Sequence, residues 1–401
     1  MTGKWNYLPL TQKEQLIETE LAKRFASVPP VSQLLVERGV TSVEEADRFL
    51  HPQLKNLHNP FLLPDMDKAV ERLNRAMGSK EKIMVYGDYD VDGTTAVALV
   101  YKYLQNFYSN IDYFIPTRYE EGYGISSETI DDFARQGVKL VIILDCGIKA
   151  NVEIAHAREH GIDFIICDHH VPDDELPQAV AILNPKMPGS TYPCPHLSGC
   201  GVGYKLMQAF SISNGIPQAD LEGMLDLVAV SIAADIVPMV DENRVMTFYG
   251  LRRLNSNPNM GLRAIIRICG LTGKEITISD VIFKIGPRIN ASGRMQSGRE
   301  AVDLLVSRDI TDAYQKARNI DQYNKDRKEL DRRITEEANA ILSQRIEAGS
   351  NKKSIVIFNK DWHKGIIGIV ASRLTELYYK PSVVLTLSNG LATGSSRSVQ
   401  G

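Results

Sequence analysis

The chain has few cysteines, no long apolar run, no low-complexity tract and no large excess of either charge, and each shortage argues against a class of protein. Its five cysteines, Cys146, Cys167, Cys194, Cys200 and Cys269, form no CxxC pair. That argues against a zinc ribbon or a thioredoxin-type site, and the odd count fits reduced intracellular thiols. The longest apolar stretches, such as Val138–Leu144 broken by Lys139, are strand-length, far short of the ~20 residues that span a bilayer. No membrane association is expected. The N-terminus, MTGKWNYLPLTQKEQ, lacks a basic segment followed by an apolar core, so no signal peptide is expected and the protein should stay in the cytoplasm. A net charge of -3 does not announce a polyanionic ligand, although a carboxylate-lined metal site and a basic groove would cancel in the sum.

What is present is an ordinary globular composition, 43% apolar and 24% charged over 401 residues, enough for two or three domains with real cores. Between residues 81 and 185, β-rich runs alternate with helical stretches: IMVYGDY (83–89), IDYFIPT (111–117), KLVIILD (139–145), FIICD (164–168) and VAILNP (180–185). This is the pattern of βαβ units and predicts an α/β fold with a mainly parallel sheet. Residues 94–107, 126–136 and 151–159 carry apolar residues at helical spacing, with Ser126 and Ser127 as N-cap candidates. In open α/β sheets ligands gather beyond the carboxyl ends of the strands, where several of these runs end in Asp. Residues 1–50, with a Pro29-Pro30 break, read as an N-terminal helical cap; 51–308 as the sheet domain, including an apolar helix over 221–236; 309–350 as a long, charge-rich connecting helix; and 351–401 as the opening of a second, smaller α/β unit.

The sharpest segment is VYGDYDVDGTT (85–95), with Asp88, Asp90 and Asp92 at alternate positions just beyond a strand. Three carboxylates cannot all face apolar core unpaired, at several kcal/mol each, and a bound cation resolves the repulsion. The same string opens an EF-hand loop, but that loop needs a bidentate acid at its twelfth position, here Leu99, and a helix before it, where this chain has a strand. Asp145 closes KLVIILD, either as a ligand or as a helix N-cap. Asp168, His169 and His170 follow FIIC, where a neutral imidazole suits manganese, iron or zinc and a neighbouring Asp can orient the ring. Asp235 is the only charge in VAVSIAADIVPM and asks for a partner. Cys146 and Cys167, beside these acids, read as small apolar residues closing buried strands. Together the acids and imidazoles describe one site with mixed oxygen and nitrogen ligands, which favours manganese or magnesium. Two such cations about 3.5 to 4 Å apart suit in-line attack on phosphorus.

GDYDVDGTT, LDCGI, DHHVP and AADIVP resemble, in that order, the four signature motifs of the DHH phosphoesterases, and the long first motif, IPTRYEEGYG and PRINASGRM resemble the RecJ branch in particular. The resemblance implies a DHH-type core and a two-metal centre of Mn2+ or Mg2+, with Asp88, Asp90, Asp145, His169 and Asp235 as metal ligands and Asp145 bridging the ions. Asp92 and His170 would act beside them in catalysis, supporting ligand geometry or touching the scissile phosphate. Small-substrate DHH branches place a ligating His four residues before the first motif Asp; here, as in RecJ-like proteins, that His is absent and Met84 stands there, leaving Asp92 or a substrate oxygen to complete the first site. The implied activity is 5′→3′ hydrolysis of single-stranded DNA to mononucleotides in repair and recombination, by a monomer working with a helicase and a single-strand-binding protein. Two alternatives stay open: a DHH phosphodiesterase acting on short oligonucleotides or small nucleotides, and a non-catalytic replication scaffold, whose relatives typically lose motif acids that all stand here.

A phosphate-chain substrate needs cationic and backbone donors along its path. Arg118 follows a strand end and faces either a phosphate or Glu120 and Glu121. GPRINASGRM offers Arg288, Asn290, Ser292 and Arg294 among small residues. Ser395, Ser396 and Arg397 lie in a small, hydroxyl-rich segment that reads as a loop forming an anion nest. The resemblance assigns the terminal 5′-phosphate to that segment, with His363 lining the same cleft or capping a helix. Tyr89, Tyr119 and Tyr123 are candidates for base stacking or for packing. RecJ-like chains continue through a further motif into an OB-fold, so 351–401 is expected to be a truncated DHH-associated domain that leans on the core, with metal binding intact and digestion weaker and less processive.

Overall fold

Five short apolar segments lie side by side as an all-parallel sheet in the computed structural model, which describes residues 9–26, 28–117, 124–347, 352–388 and 390–399. They are β1 Lys82–Gly87, β2 Ile111–Phe114, β3 Val138–Leu144, β4 Asp163–Cys167 and β5 Ala181–Leu183, in the order β2-β1-β3-β4-β5. The strands are apolar at successive positions because both faces are covered. Ile83, Val85 and Ile142 join a core shared with the helices Val91–Leu104 and Gly199–Ser213, whereas Met84, Tyr86 and Ile143 pack against the helices Ser127–Arg135 and Asn151–Glu159. The sheet predicted from the alternating runs is therefore present, with β3 at its centre.

Register decides where the chemistry falls. Gly87 pairs with Leu144 and Leu144 with Cys167, so β1, β3 and β4 end in one row. The next residues, Asp88, Asp145 and Asp168, open three neighbouring loops on the carboxyl rim, with adjacent strands about 4.8 Å apart. The helix after β1 leaves so tightly that a Cβ on Gly93 would lie 2.4 Å from the Asp88 carbonyl oxygen. Only glycine fits there.

The N-terminal helices Gln12–Phe25, Pro29–Glu37 and Val43–Leu50 enclose a core of their own, Leu21, Leu35, Val36, Val40 and Ala46. Pro29 opens the second of these helices, where its missing N–H costs nothing. The Arg244 guanidinium, 3.7 Å above the Phe49 ring, joins this cap to the main domain. Beyond β5 the domain is more helical than its strand pattern suggests. The single helix expected over 221–236 is broken, into Gln218–Glu222 and Leu225–Asp235, so Asp235 stands at a helix end.

The connecting helix, Ile310–Glu347, runs 38 residues and about 57 Å at 1.5 Å per residue. Its first half gives Ala313, Ala317 and Ile320 to the main core. Its second half gives Ile334, Ala338 and Leu342 to a separate core with Ile357, Trp362, Leu374 and Val384 of the second unit. That unit consists of β6 Ile355–Phe358, the helix Ile367–Tyr378, β7 Ser382–Ser388 and β8 Leu391–Arg397; β6 and β7 are parallel, β7 and β8 antiparallel. Trp362 Nε1 donates to Glu337 Oε2 at 2.8 Å, and Arg373 Nη2 to Asp331 Oδ2 at 2.7 Å, pinning it to the helix.

One expectation needs correction. The segment holding Ser395, Ser396 and Arg397 is not a loop but the edge strand β8, paired with Ser382, Val383 and Val384. Its small hydroxyl residues suggested a turn, yet pairing with the apolar strand β7 supplies the stability that β-propensity alone does not.

Because the second unit shares its core with Ile334, Ala338 and Leu342 of the connecting helix, Leu374→Ala should cost about 2 to 5 kcal/mol locally. Hydrogen exchange should show β6 to β8 losing protection while β1 to β5 keep theirs; equal loss in both sheets would contradict this division.

Candidate metal centre

Asp145 sits at the middle of the row of strand ends with φ of 60°, the left-handed region, held there by its N–H donating to Cys167 O at 2.9 Å. Asp tolerates this conformation better than most residues, and such strain collects where a side chain must be aimed. The carboxylate is 2% exposed, and its Oδ1 has no hydrogen-bond partner although His169 Nε2 lies 3.1 Å away. Burial first, then the charges of Asp92, Asp90, Asp168 and Asp88, push its pKa well above the carboxylate range. His169 is also buried, and burial lowers its pKa, keeping the imidazole neutral and a lone pair available. Two donors are thus aimed at a common point without satisfying each other.

The surrounding acids divide into two kinds. Asp168 has its oxygens filled: Oδ1 accepts from His169 N at 2.7 Å, His170 N at 3.1 Å and His170 Nδ1 at 2.7 Å, and Oδ2 accepts from Ile148 N at 3.0 Å. Burial would raise this carboxyl, but the hydrogen bonds and charge of His170 outweigh it and hold the pKa low. In return the Asp168 hydrogen bond raises the pKa of His170, whose side chain stands 46% exposed at the rim. Asp92 is likewise filled, accepting from Gly199 N, Cys200 N and Ser231 Oγ, each at 2.7 Å. At 1% exposure it fastens the start of the helix Gly199–Ser213 beneath the site. Of the two parts expected of Asp92, these contacts suit support of the ligand geometry, since its oxygens already accept three hydrogen bonds.

Asp88, Asp90, Asp145 and Asp235 are the other kind. Asp90 caps the helix Val91–Leu104, accepting from Gly93 N at 3.0 Å, and its pKa is raised by burial and then by Asp92. Asp235, at the end of its helix and one-third exposed, is pushed up to about 7 by burial, then by Asp92 and Asp90. Its Oδ2 lies 3.7 Å from His169 Nε2. Donor atoms of Asp88, Asp90 and Asp145 lie within 4.8 Å of one another, as do those of Asp145, His169 and His170, and those of Asp92, His169 and Asp235. Asp145 and His169 are each shared between two sets, so the donors fit two adjacent hard cations with Asp145 between them. All five ligands expected from the sequence meet here.

Sequence reasoning missed the floor of the site, the turn Ser198-Gly199-Cys200 and Ser231. Ser231 Oγ lies 2.6 Å from Ser198 Oγ, which also caps the helix by accepting from Gly201 N. A Cβ on Gly199 would lie 2.6 Å from Asp145 Cβ. The available signal was the N-cap serine followed by alternating glycines in LSGCGVG.

The expected DNA contacts scatter. Arg118, Tyr119, Glu120, Glu121 and Tyr123 lie outside the described residues. Tyr89 is 8% exposed and belongs to the core. Arg288 donates through Nε to Asp321 Oδ1 at 2.8 Å and through Nη1 to Lys284 O at 2.8 Å, bracing its helix, Gly286–Met295, against the connecting helix. Asn290, half-buried on that helix, leaves Oδ1 without a hydrogen bond, and Arg294 Nη1 reaches Gly365 O of the second unit at 3.2 Å. In β8, Arg397 Nη1 donates to Ser395 Oγ at 3.0 Å, and a Cβ built on Gly368, in the first turn of the helix Ile367–Tyr378, would lie 3.2 Å from that Oγ. Ser395 and Arg397 therefore meet a helix N-terminus, an arrangement suited to an anion, while strand alternation turns Ser396 to the other face. His363 Nδ1 accepts from Gly365 N at 3.2 Å, capping the turn into the same helix.

A parallel sheet whose central strand ends deliver DxDxD, an Asp and an Asp-His-His to one rim defines the DHH class, and the model of the DHH family, N-terminal domain, matches residues 82–232. Single-stranded-DNA-specific exonuclease RecJ of Bacillus subtilis is 39% identical over 95% of this chain and 48% of its own length. That of Escherichia coli is 34% identical over 95% of this chain and 68% of its own. The crystal structure of RecJ in complex with Mn2+ from Thermus thermophilus superposes with a TM-score of 0.81 at 27% identity, over 96% of this chain and 54% of that one. The chain belongs to the RecJ family, and spans about half the length of the Bacillus relative.

Two outcomes follow. Gly199→Ala should displace Asp145 and weaken Mn2+ binding at least about tenfold, read by EPR titration of the folded variant; unaltered binding would contradict the packing described. A carboxyl whose pKa is higher in the folded chain than in the unfolded one takes up a proton on folding between the two values. Asp235, at about 7 against an ordinary 3.8, should therefore make the metal-free protein less stable as pH rises through that window. Mn2+ affinity should rise over the same window, because binding expels the proton. A Mn2+ affinity flat between pH 5.5 and 7.5 would contradict this.

Proposed function

We propose that the chain carries the catalytic portion of a metal-dependent 5′→3′ exonuclease that hydrolyses single-stranded DNA to mononucleotides, using two Mn2+ or Mg2+ ions, in DNA repair and recombination. The observation that carries this reading is Asp145, a buried carboxylate with an orphaned oxygen, shared between donor sets and aimed at a neutral imidazole. Divalent cations held there supply a Lewis acid for the scissile phosphate and lower the pKa of an attacking water.

The chain's own residues do the rest. Asp88, Asp90, Asp145, His169 and Asp235 hold the ions, and Asp92 and Asp168 fix the loops that present them. His170, whose pKa is raised by its hydrogen bond to Asp168, donates a hydrogen bond to a phosphate oxygen or a proton to the leaving 3′-oxygen. Ser395, Arg397 and the start of the helix Ile367–Tyr378 take the terminal 5′-phosphate, which sets the polarity of digestion. Arg118, Asn290 and His363 enter the proposal as contacts along the strand on the strength of kinship with RecJ, Arg288 as a brace for the helix that bears Asn290, and Ser396 as a peripheral contact. The proposal extends to a monomeric, cytoplasmic protein supplied with substrate by a helicase and a single-strand-binding protein. Among the described residues no helix is long and apolar enough to cross a membrane.

Single strands labelled at either end, incubated with Mn2+, Mg2+ or chelator, test this. Mononucleotides should leave the 5′ end first, chelator should stop release, and Asp145→Ala should be inactive. Arg397→Ala should lower the preference for a 5′-phosphorylated end about tenfold, the worth of one charge-assisted hydrogen bond. Release from the 3′ end first, or cleavage confined to dinucleotides and other short oligonucleotides, would overturn the reading.

A further inference from the structure

On the face of the sheet covered by the helices Ser127–Arg135 and Asn151–Glu159, a second group of ligating side chains converges, and it shares no residue with the catalytic rim. His156 and His160 are four residues apart, which puts both rings on one side of their helix and its end, with ring centroids 4.7 Å apart. Asp131, from the neighbouring helix, points one carboxylate oxygen at both: Oδ1 lies 2.8 Å from His156 Nε2 and 3.3 Å from His160 Nε2. The three donor atoms lie within 4.8 Å of one another. His160 precedes β4 by three residues, so the group lies toward the amino end of the sheet, away from the strand ends that carry the catalytic acids.

A plain helix-to-helix hydrogen bond accounts for part of this geometry only. The bond from His156 to Asp131 needs one imidazole, yet a second ring is turned to the same oxygen without making a hydrogen bond of its own that would explain it. Arg135, on the same helix as Asp131, pairs with Asp132 at 3.3 Å. His156 is 29%, His160 38% and Asp131 44% exposed, so solvent reaches the group and can fill a fourth position. Two imidazoles and one carboxylate are the donor set of tetrahedral Zn2+ and its borderline neighbours, unlike the oxygen-rich catalytic set.

We propose that Asp131, His156 and His160 form a second metal site, selective for Zn2+ or a similar borderline transition metal over Mg2+, that clamps the two helices together. These helices lead into β3 and β4, the strands that end at Asp145 and Asp168, so a bound ion stiffens the supports of the catalytic loops without touching substrate.

Co2+ serves as the spectroscopic probe, titrated into the full chain with Mg2+ in large excess to occupy the catalytic centre. One equivalent should give the intense visible bands of four-coordinate Co2+, displaced by Zn2+. His156→Ala and His160→Ala should each weaken this binding about tenfold or more and abolish the rise in unfolding temperature that Zn2+ gives the parent, while the metal-free unfolding temperatures stay close. Asp145→Ala should leave the bands in place. Absence of the bands, their survival in His156→Ala, or their loss in Asp145→Ala would overturn the proposal, the last by assigning the ion to the catalytic centre.

Discussion

Six carboxylates crowd the carboxyl rim of this sheet, and the mutual repulsion of buried charge is the constraint that the rest of the molecule answers. The row of strand ends at Gly87, Leu144 and Cys167 forces Asp88, Asp145 and Asp168 into neighbouring loops. The protein neutralises two of the six with its own donors. Asp92 receives two backbone N–H groups and a hydroxyl, and Asp168 receives three N–H groups and an imidazole. Asp145 and Asp235 receive no such compensation, and their pKa values rise accordingly. Asp92 and Asp168 are thereby tied to the fold, while Asp145 keeps an oxygen without a hydrogen bond, a division set by hydrogen bonding rather than by residue type.

The same logic orders the surroundings. Glycines at 93 and 199 stand where a methyl group would strike the Asp88 backbone or the Asp145 side chain, so the loops close to ligand distance only because these positions are bare. The connecting helix then holds the second unit by a shared core and two side-chain pins, and Arg294 spans from the sheet domain to Gly365. Ser395, Arg397 and the helix start they meet are thereby carried on a frame fixed to the candidate metal centre.

Much of this was legible in the sequence. The alternation of short apolar runs with helical stretches gave the parallel sheet, and the acids closing those runs gave the candidate ligands, because continuous apolar runs and buried charge are both local signals. The long helix was visible in its charge-rich periodicity. The hydrogen bonding of Asp92 was not visible, since it belongs to one alternating string with Asp88 and Asp90 and its partners at residues 199 and 200 lie more than a hundred positions away. The pairing of Arg288 with Asp321 was equally hidden, because the acid lies on the connecting helix, 33 positions away. The serine-rich segment looked like a loop because strand pairing at an edge comes from the neighbouring strand and leaves little trace in composition. Asp131, His156 and His160 drew no attention, since neither His lies near the carboxyl end of a strand and the third donor comes from another helix.

The central claim, two cations bridged by Asp145, is tested most directly by a crystal structure with Mn2+ and its anomalous scattering. Two peaks are predicted, one among Asp88, Asp90 and Asp145 and one among Asp145, His169 and Asp235. A single peak, or two peaks that do not share Asp145, would contradict the account.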